Sequence, residues 1–388
     1  MQLKVIENGY DNLVVLNDNI KLDGNQLTIG DLGCSHGRNS MTAINQLLGL
    51  VEKNESINKK VEKLLIYHED LECNDFNQVQ DCLDDNSISY LNNSFIKNNN
   101  LSTRALFLPK SFYEPLFEPE SIDIIMCYTA VHWLPQYKSL TTGLLYEEAF
   151  ETAENVEYFK KLSKDYLVEW LNLRYEELAE NGLITLNIFE GGGIFHKINT
   201  AWDEYLATKG FKHADLNKVN VSSILRSSDE VNDCLAEFDG KYKILRNYLS
   251  REVYAFDRDH LSAVSLGQVL HGLGYYPEHF PTEEDKKEFF EVTAPTKLRF
   301  FSKSLTTLPT MTAEVPQPNA EYTKREMPGS NSDSNYYQFH PTPDQNGTSF
   351  QCGGDAGCID NCAACITCGL STLFVGCCAA IFSTRARR

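Results

Sequence analysis

The chain has 388 residues, of which 42% are hydrophobic, and its formal net charge at pH 7 is −19. This length allows one large domain or two ordinary ones. The acidic balance argues against a nucleic-acid-binding protein, which needs a basic face to neutralise phosphates. Residues 1–24 lack the charged region, apolar run and cleavage site of a secretory signal, so we expect a cytoplasmic protein.

Short apolar runs alternate with helical patterns in the first half of the chain. Five runs rich in Ile, Leu and Phe are predicted to be buried strands. They lie at 26–30, 62–69, 104–109, 122–129 and 182–190. Helices are predicted over 40–53 and 158–182, the second ending at the Asn181-Gly182 pair. Strands that alternate with helices indicate an α/β fold with a mainly parallel sheet and helices on both faces.

The second half of the chain is less regular. Residues 194–235 and 257–276 are predicted to be mostly helical, and strands are predicted over 242–249 and 297–305. These patterns divide the chain into four parts. Residues 1–193 are predicted to form a cofactor-binding core, and residues 194–305 a helical cap together with the last strands of that core. Residues 306–350 are predicted to be a disordered linker, because they are rich in Pro, Asn, Ser and Thr. Residues 351–388 are a Cys-rich apolar tail.

Polar, glycine and aromatic residues follow the first four predicted strands. In an open α/β sheet, ligands bind beyond the carboxyl ends of the strands, so these four segments should converge on one crevice. The segment after the first strand, DLGCSHGRNS, lacks the Gly-Lys-Ser/Thr of a P-loop. The spacing of Gly30, Gly33 and Gly37 does not match the G-x-G-x-x-G of a dinucleotide site either.

S-adenosylmethionine has no phosphate, and its site needs a glycine turn, an acid for the ribose hydroxyls and an apolar or aromatic wall for adenine. The segment that begins at Asp31 supplies the glycine turn. Asp70, which follows the second strand, supplies the acid for the ribose. Ser111-Phe112, which follows the third strand, supplies the adenine wall. Alone, Asp70 is more often a helix N-cap and Phe112 more often a core residue. Their order along the chain favours an S-adenosylmethionine site.

Four blocks of the sequence resemble the plant-type SABATH methyltransferases. They are DLGCSHGRNS, EDLECNDFN, KSFYEPLFEPESIDIIMCYTAVHWLPQ and LVEWLNLRYEELAENGLITLNIF. The family carries DLGCSSGPNT, NDLPxNDFN, GSFY and HWLSQ in this order. The resemblance implies a Rossmann-like class I methyltransferase sheet under a helical cap, often in a homodimer. It also implies methyl transfer from S-adenosylmethionine to the carboxylate of a small organic acid or to a ring nitrogen of a purine alkaloid.

The resemblance also assigns roles to individual residues. It implies that Asp31, Gly33 and Asn39 contact the methionine end of the cofactor. It implies that Asp70 and Leu71 bind the ribose and adenine, and that Ser111 and Phe112 also contact adenine. Thr129, His132 and Trp133 are expected to orient the substrate, with the Trp133 indole N–H donating to its carboxylate. No general acid–base pair is expected, because a carboxylate with a pKa of about 4 is already ionised at pH 7. No metal ligand is assigned.

The chain departs from the family pattern at several positions. Arg38 replaces a proline, Glu69 an asparagine and Thr129 a frequent tyrosine, and the family's N-terminal Y-x-x-N-S-x-x-Q pattern is not found before Asp31. Methylation of a small carboxylic acid is the favoured function. N-methylation of a small heterocycle, or a catalytically impaired, membrane-tethered cofactor-binding protein, are the alternatives.

Seven of the twelve cysteines lie between Cys352 and Cys378, outside the methyltransferase pattern. A zinc site is one interpretation of Cys362, Cys365 and Cys368, although zinc ligand pairs are usually separated by a longer gap. A disulfide knot is a second interpretation, which a cytoplasmic protein disfavours. Residues 362–384 carry no charge and have the length of a membrane-spanning segment, so membrane contact is the favoured interpretation.

Overall fold

A computed structural model of the protein describes residues 10–22, 24–135, 145–146, 152–190, 194–255, 268–291 and 372–384. Seven strands form one sheet. They are β1 Gln26–Leu32, β2 Lys63–Asp70, β3 Ser102–Pro109, β4 Ile122–Tyr128, β5 Leu178–Glu190, β6 Tyr242–Ala255 and β7 Thr372–Thr384.

The strands lie in the order β3-β2-β1-β4-β5-β7-β6. The first five are parallel to their neighbours, whereas β7 runs antiparallel between β5 and β6. Strand order reverses at β1, with β2 on one side and β4 on the other, so a crevice opens beyond the carboxyl ends of these strands. The predicted Rossmann-like α/β fold is confirmed.

Helices cover both faces of the sheet. They include α1 Tyr10–Asn19, α2 Arg38–Val51, α3 Glu55–Asn58, α4 Phe76–Asp84, α5 Ser94–Asn98, α6 Ala153–Glu177, α7 Ile194–Thr208, α8 Ser228–Ala236 and α9 Glu283–Glu291. Short 3-10 turns lie at Tyr90–Asn92 and His213–Leu216, and residues 268–273 are helical.

Alternation along the strands sends apolar side chains to two buried layers. On one face, Leu27, Ile29 and Ile66 pack with side chains of α1, α2 and α4. On the other face, Ile125 and Cys127 pack with side chains of α6 and α8. A third apolar cluster is built by residues of 145–146, 202–221 and 269–289, and the Trp133 ring packs against it. This helical layer therefore lies beside the segment that follows β4.

The α6–β5 junction differs from the sequence prediction. The predicted helix end at Asn181-Gly182 is wrong, because α6 ends at Glu177 and β5 begins at Leu178. Leu178 already pairs with Ile122, and Asn181 adopts a left-handed φ of 61° where the β4–β5 register shifts. The turn signal therefore marks an irregularity inside the strand rather than the end of the helix.

Part of the predicted tail belongs to the sheet. Residues 372–384 form β7, so the proposed membrane contact through 362–384 finds no support there. Among the described residues, no helix is long and apolar enough to cross a membrane. The predicted strand at 297–305, the linker at 306–350 and the cysteines from Cys352 to Cys368 lie outside the described residues.

Candidate functional site

The turn after β1 is tied to the carboxyl end of β2 by backbone hydrogen bonds. The Gly33 N–H donates to both the main-chain carbonyl and the Oε2 atom of Glu69, each across 2.9 Å. The Ser35 N–H donates to Asp70 Oδ2 across 2.7 Å. Gly33 has a φ of +74°, and a Cβ at this position would lie 2.4 Å from the Cβ of Ala130. The turn therefore requires glycine at 33 for both its backbone conformation and its close approach to the segment after β4.

Asp31 lies at the end of β1 beside His68, its register partner on β2. His68 Nδ1 is 3.0 Å from Asp31 Oδ2, and His68 Nε2 is 2.9 Å from the Tyr90 hydroxyl. Cys34 is close, since its Sγ, a carboxylate oxygen of Asp31 and a ring nitrogen of His68 lie within 4.8 Å of one another. These three could in principle hold a metal ion, but both nitrogens of His68 already have hydrogen-bond partners.

Two adjacent carboxyl groups end β2. Asp70 accepts from the Ser35 and Leu71 N–H groups, yet its burial raises the pKa of its carboxyl above the ordinary value. Glu69 is fully buried, and burial with the neighbouring Asp70 charge raises its pKa well above the usual range. Glu69 Oε1 has no hydrogen-bond partner within the part of the chain that the structure describes. Glu69 thus lies directly under the turn that Gly33 begins.

The segment after β3 brings Ser111 and Phe112 to the same crevice. Ser111 Oγ accepts from the Tyr113 N–H, and a Cβ at Gly33 would lie 3.8 Å from the Phe112 ring. Arg174 on α6 fixes this segment by donating to the carbonyl of Phe112 across 2.6 Å. Tyr113 extends to the next segment, where its hydroxyl donates to the carbonyls of Val131 and Trp133.

Residues 129–134 follow β4 and run beside residues 221–224. Thr129 is buried with a left-handed φ of 52°, and its N–H donates to the Asn187 carbonyl of β5. Trp133 forms an isolated antiparallel bridge with Ser223. The His132 ring lies 4.7 Å from the Trp133 ring and 5.5 Å from the Phe189 ring, measured between centroids. The predicted substrate-orienting residues therefore lie between the sheet and the helical layer.

Unpartnered polar atoms are concentrated in this region. Thr129 Oγ1, His132 Nδ1, Asn187 Oδ1 and Ser223 Oγ are all buried and lack a hydrogen-bond partner among the described residues. Buried polar groups of native proteins are normally paired, so these four are candidates for binding a polar ligand or water. Burial, with the nearby positive charge of Arg226, lowers the pKa of His132 to about 3. The imidazole is therefore neutral at pH 7.

Arg226 is a buried cation immediately behind this segment. Its guanidinium donates to the Val131 carbonyl across 2.8 Å and to the Ser163 carbonyl across 3.2 Å, and it also hydrogen-bonds the Tyr113 hydroxyl. Within the described part of the chain, no carboxylate forms an ion pair with Arg226. The charge of Arg226 is thus solvated by carbonyl and hydroxyl oxygens rather than by a carboxylate, and its field at the adjacent segment favours an anionic ligand over a cationic one.

The crevice brings together most of the residues predicted from the sequence. Asp31, Gly33, Asp70 and Phe112 are linked through the contacts above, and Leu71 is 52% exposed beside Asp70. Asn39 is the second residue of α2, just after the turn. Four residues of the site were not predicted from the sequence: His68, Glu69 as a buried group, Arg174 and Arg226. A charged or polar side chain inside an otherwise apolar strand, as in KLLIYHED, is the local signal that could have identified His68 and Glu69.

The chain is similar to known methyltransferases. Residues 4–237 match the family described as SAM dependent carboxyl methyltransferase, SAM being S-adenosylmethionine. A salicylate/benzoate carboxyl methyltransferase of Arabidopsis thaliana is 28% identical over 165 residues, 41% of this chain and 42% of that protein. A 3,7-dimethylxanthine N-methyltransferase of Camellia sinensis var. assamica is 27% identical over 240 residues, 56% of this chain and 63% of that protein.

A solved structure, loganic acid methyltransferase with SAH, aligns with a TM-score of 0.56 and 19% identity over 75% of this chain and 86% of that chain. It shows the shared fold. The chain spans less than two thirds of the length of the two relatives named above. The family match, in contrast, covers more than half of this chain. The protein therefore belongs to the family of SAM-dependent carboxyl methyltransferases.

Proposed function

We propose that the protein binds S-adenosylmethionine in the crevice beyond β1, β2 and β3 and transfers its methyl group to the carboxylate of a small organic acid. Family membership and the convergence of the four strand ends support this function. The observation that carries the choice of a carboxylate is Arg226, a buried guanidinium without a carboxylate partner in the described structure, directly behind residues 131–133.

The residues of the crevice suit the cofactor. The turn at Gly33 has no room for a Cβ because its backbone packs against Ala130, so the turn and the segment after β4 form adjacent walls of the crevice. The Asp31 side chain is 10% exposed and suits the cationic amino group. Each carboxylate oxygen of Asp70 accepts one backbone hydrogen bond, which leaves further lone pairs to accept from ribose hydroxyls. The full proposed set is Asp31, Gly33 and Asn39 at the methionine end, Asp70 and Leu71 at the ribose and adenine, and Ser111 and Phe112 at the adenine. When bound, the cofactor supplies an electrophilic methyl group.

The protein's own residues then have to orient the acceptor and exclude water. The acceptor carboxylate is ionised at pH 7 and needs no general base. In this proposal, the Trp133 indole N–H and the groups of Thr129 and His132 that lack partners among the described residues supply hydrogen bonds to it. Alignment of this kind can lower the activation free energy by on the order of 7–11 kcal/mol, so no acid–base residue is required.

N-methylation of a heterocycle is the competing function. The low pKa of His132 leaves a neutral imidazole in the site, which suits an uncharged acceptor as well as an anionic one. The similarity to a 3,7-dimethylxanthine N-methyltransferase also supports this alternative. The acceptor is an anion in one function and uncharged in the other, and Arg226 should favour only the anion.

A methyl-transfer screen tests the proposal. The full chain is incubated with methyl-tritiated S-adenosylmethionine and with salicylate, benzoate and 3,7-dimethylxanthine as probes. We expect transfer to at least one acid, and Arg226→Met should raise its KM about tenfold or more. Lys160→Gln, which removes an exposed charge from α6, is the control. Methylation of the xanthine but of neither acid would contradict the proposal.

Two wider expectations belong to this proposal. We propose that the protein acts in the cytoplasm, in keeping with Cys34, Cys127 and Cys234, which form no disulfide among the described residues. We also propose a homodimer, as the SABATH resemblance implies. Light scattering on a size-exclusion column measures the molar mass directly, and a monomer at micromolar concentration would contradict the second expectation.

A further inference from the structure

His68 is a polar residue in an otherwise apolar layer. Leu64 and Ile66 precede it on the same face of β2, and both belong to the cluster that packs against α2. His68 itself is fully buried. A leucine would continue the apolar pattern without any polar group to desolvate, whereas an imidazole buried here costs free energy unless both nitrogens are hydrogen-bonded.

Both ring nitrogens of His68 do have partners. Burial raises the pKa of the Tyr90 phenol well above its ordinary value, so this hydroxyl carries its proton and can donate to His68 Nε2 across 2.9 Å. When Nε2 accepts from Tyr90, the Nδ1–H of the ring is the donor to Asp31 Oδ2, across 3.0 Å. The three side chains thus form one chain of donors that ends on the Asp31 carboxylate.

The hydrogen bond to His68 occupies one side of the Asp31 carboxylate only. The Asp31 side chain retains 10% exposure, whereas the His68 side chain has none. Asp31 is also the last residue but one of β1, immediately before the turn at Gly33. The carboxylate is therefore fixed from inside the protein, while part of the side chain stays exposed at the end of β1, where the crevice opens.

We propose that His68 is a positioning residue that holds Asp31 in the orientation required to bind the amino end of the cofactor, with Tyr90 fixing the ring of His68. The inference rests on the proposed function, because it takes Asp31 as a cofactor ligand. A carboxylate held in one rotamer loses less conformational entropy on binding than a free one, so the network should appear as cofactor affinity.

Binding of S-adenosylhomocysteine to the full chain, measured by calorimetry, tests the inference without any turnover. His68→Leu removes both hydrogen bonds but suits the apolar layer. We expect it to weaken binding about tenfold or more, the loss typical of a hydrogen bond to a charged group. His68→Asn places an amide donor near the position of Nδ1 and should restore affinity to within about threefold of the wild type.

Two further variants separate positioning from packing. Tyr90→Phe removes only the outer hydroxyl and should weaken binding by a smaller factor than His68→Leu. His279→Leu changes an exposed histidine of the helical layer and should not change the affinity. Urea unfolding of each ligand-free variant checks that it is folded. If His68 had a purely structural role, its substitution would change the free energy of unfolding. The His68→Leu and His68→Asn variants would then bind S-adenosylhomocysteine with equal affinity.

The outcomes are distinct. If the wild type binds S-adenosylhomocysteine and folded His68→Leu binds it equally well, the inference is overturned and the proposed function stands. The inference is also overturned if His68→Asn is as weak as His68→Leu while both are folded. If the wild type does not bind the ligand at all, the proposed function fails and the inference fails with it.

Discussion

Arg174 on α6 holds the carbonyl oxygen of Phe112 at 2.6 Å while its guanidinium also pairs with Glu177, one turn further along the helix. Glu177 in turn accepts from the Leu116 N–H across 2.6 Å. Both side chains of the ion pair are buried. The pair thus fixes two points of the segment after β3, and with them the proposed adenine wall, to the end of one long helix.

Breaking this pair should destabilise the protein strongly. Glu177→Ala leaves the Arg174 charge buried without its partner, and we expect the free energy of unfolding in urea to fall by about 3–5 kcal/mol. Asp165→Ala removes an exposed ion pair with Lys161 on the same helix and should change stability by less than roughly 1 kcal/mol. Equal effects of the two substitutions would show that the buried pair does not fix the segment.

Gly33 should reject any side chain. Its φ of +74° and the 2.4 Å separation between a Cβ and the Ala130 Cβ act together, so Gly33→Val should abolish S-adenosylhomocysteine binding in a protein that still folds. Gly49→Ala is the matched control, because nothing lies within 4 Å of its Cβ position inside α2. The control should stabilise the helix by about 0.5–1 kcal/mol. Wild-type affinity in Gly33→Val, measured by calorimetry, would contradict the proposed close approach.

His132 should make the folded state sensitive to acid. Its pKa is lowered from 6.5 to about 3, so between these values the unfolded chain binds a proton that the folded protein does not. Stability is therefore fully present above pH 6.5 and declines as pH falls, by about 2 kcal/mol at pH 5 from this residue. His132→Gln should remove that component of the loss in urea unfolding at pH 7.5 and pH 5. The control is His279→Gln, at an exposed histidine. If the free energy of unfolding of His132→Gln falls between pH 7.5 and pH 5 by as much as that of the wild type, the ring of His132 is not a buried neutral group.

Phe382 tests the placement of β7. It is fully buried in the layer beneath α6, with its ring centroid 5.4 Å from that of Tyr242. We expect Phe382→Ala to lower the free energy of unfolding by about 3–5 kcal/mol. Ser383→Ala, at the half-buried next position, should cost less than about 1 kcal/mol. If both variants are as stable as the wild type, residues 372–384 do not belong to the sheet.

Local sequence pattern was sufficient for the first five strands and for the crevice. Runs such as QLTIG and IDIIMCYT are long, apolar and bounded by turn residues, and Brändén's rule then places the segments that follow them together. The turn at Gly33 and the acid at Asp70 could be identified in this way. The start of β5 could not, because Leu178 leaves the helix in order to pair with Ile122, a contact that no local signal encodes.

The remaining features depend on contacts between distant parts of the chain. The run TLFVGCCAAIFST has no polar alternation, so its composition suits a membrane segment as well as a buried strand. Arg226 and Arg174 are ordinary surface residue types, and only the folded structure shows that they are buried against carbonyl groups. Pattern reasoning cannot recover such residues, since their role is set by partners 62 to 95 positions away in the chain.

The position of β7 also affects the order in which the chain can assemble during its synthesis. β5 and β6 are not paired with each other, because residues 372–384 separate them along the full length of the contact. When 242–255 leave the ribosome, the strand that joins them to the sheet has not yet been made. The cofactor crevice, built from β1 to β4, can form on the ribosome, whereas the far edge of the sheet must wait for residues 372–384. A nascent chain stalled between 255 and 372 would therefore expose the open edge of β5, which is a target for chaperones and for aggregation.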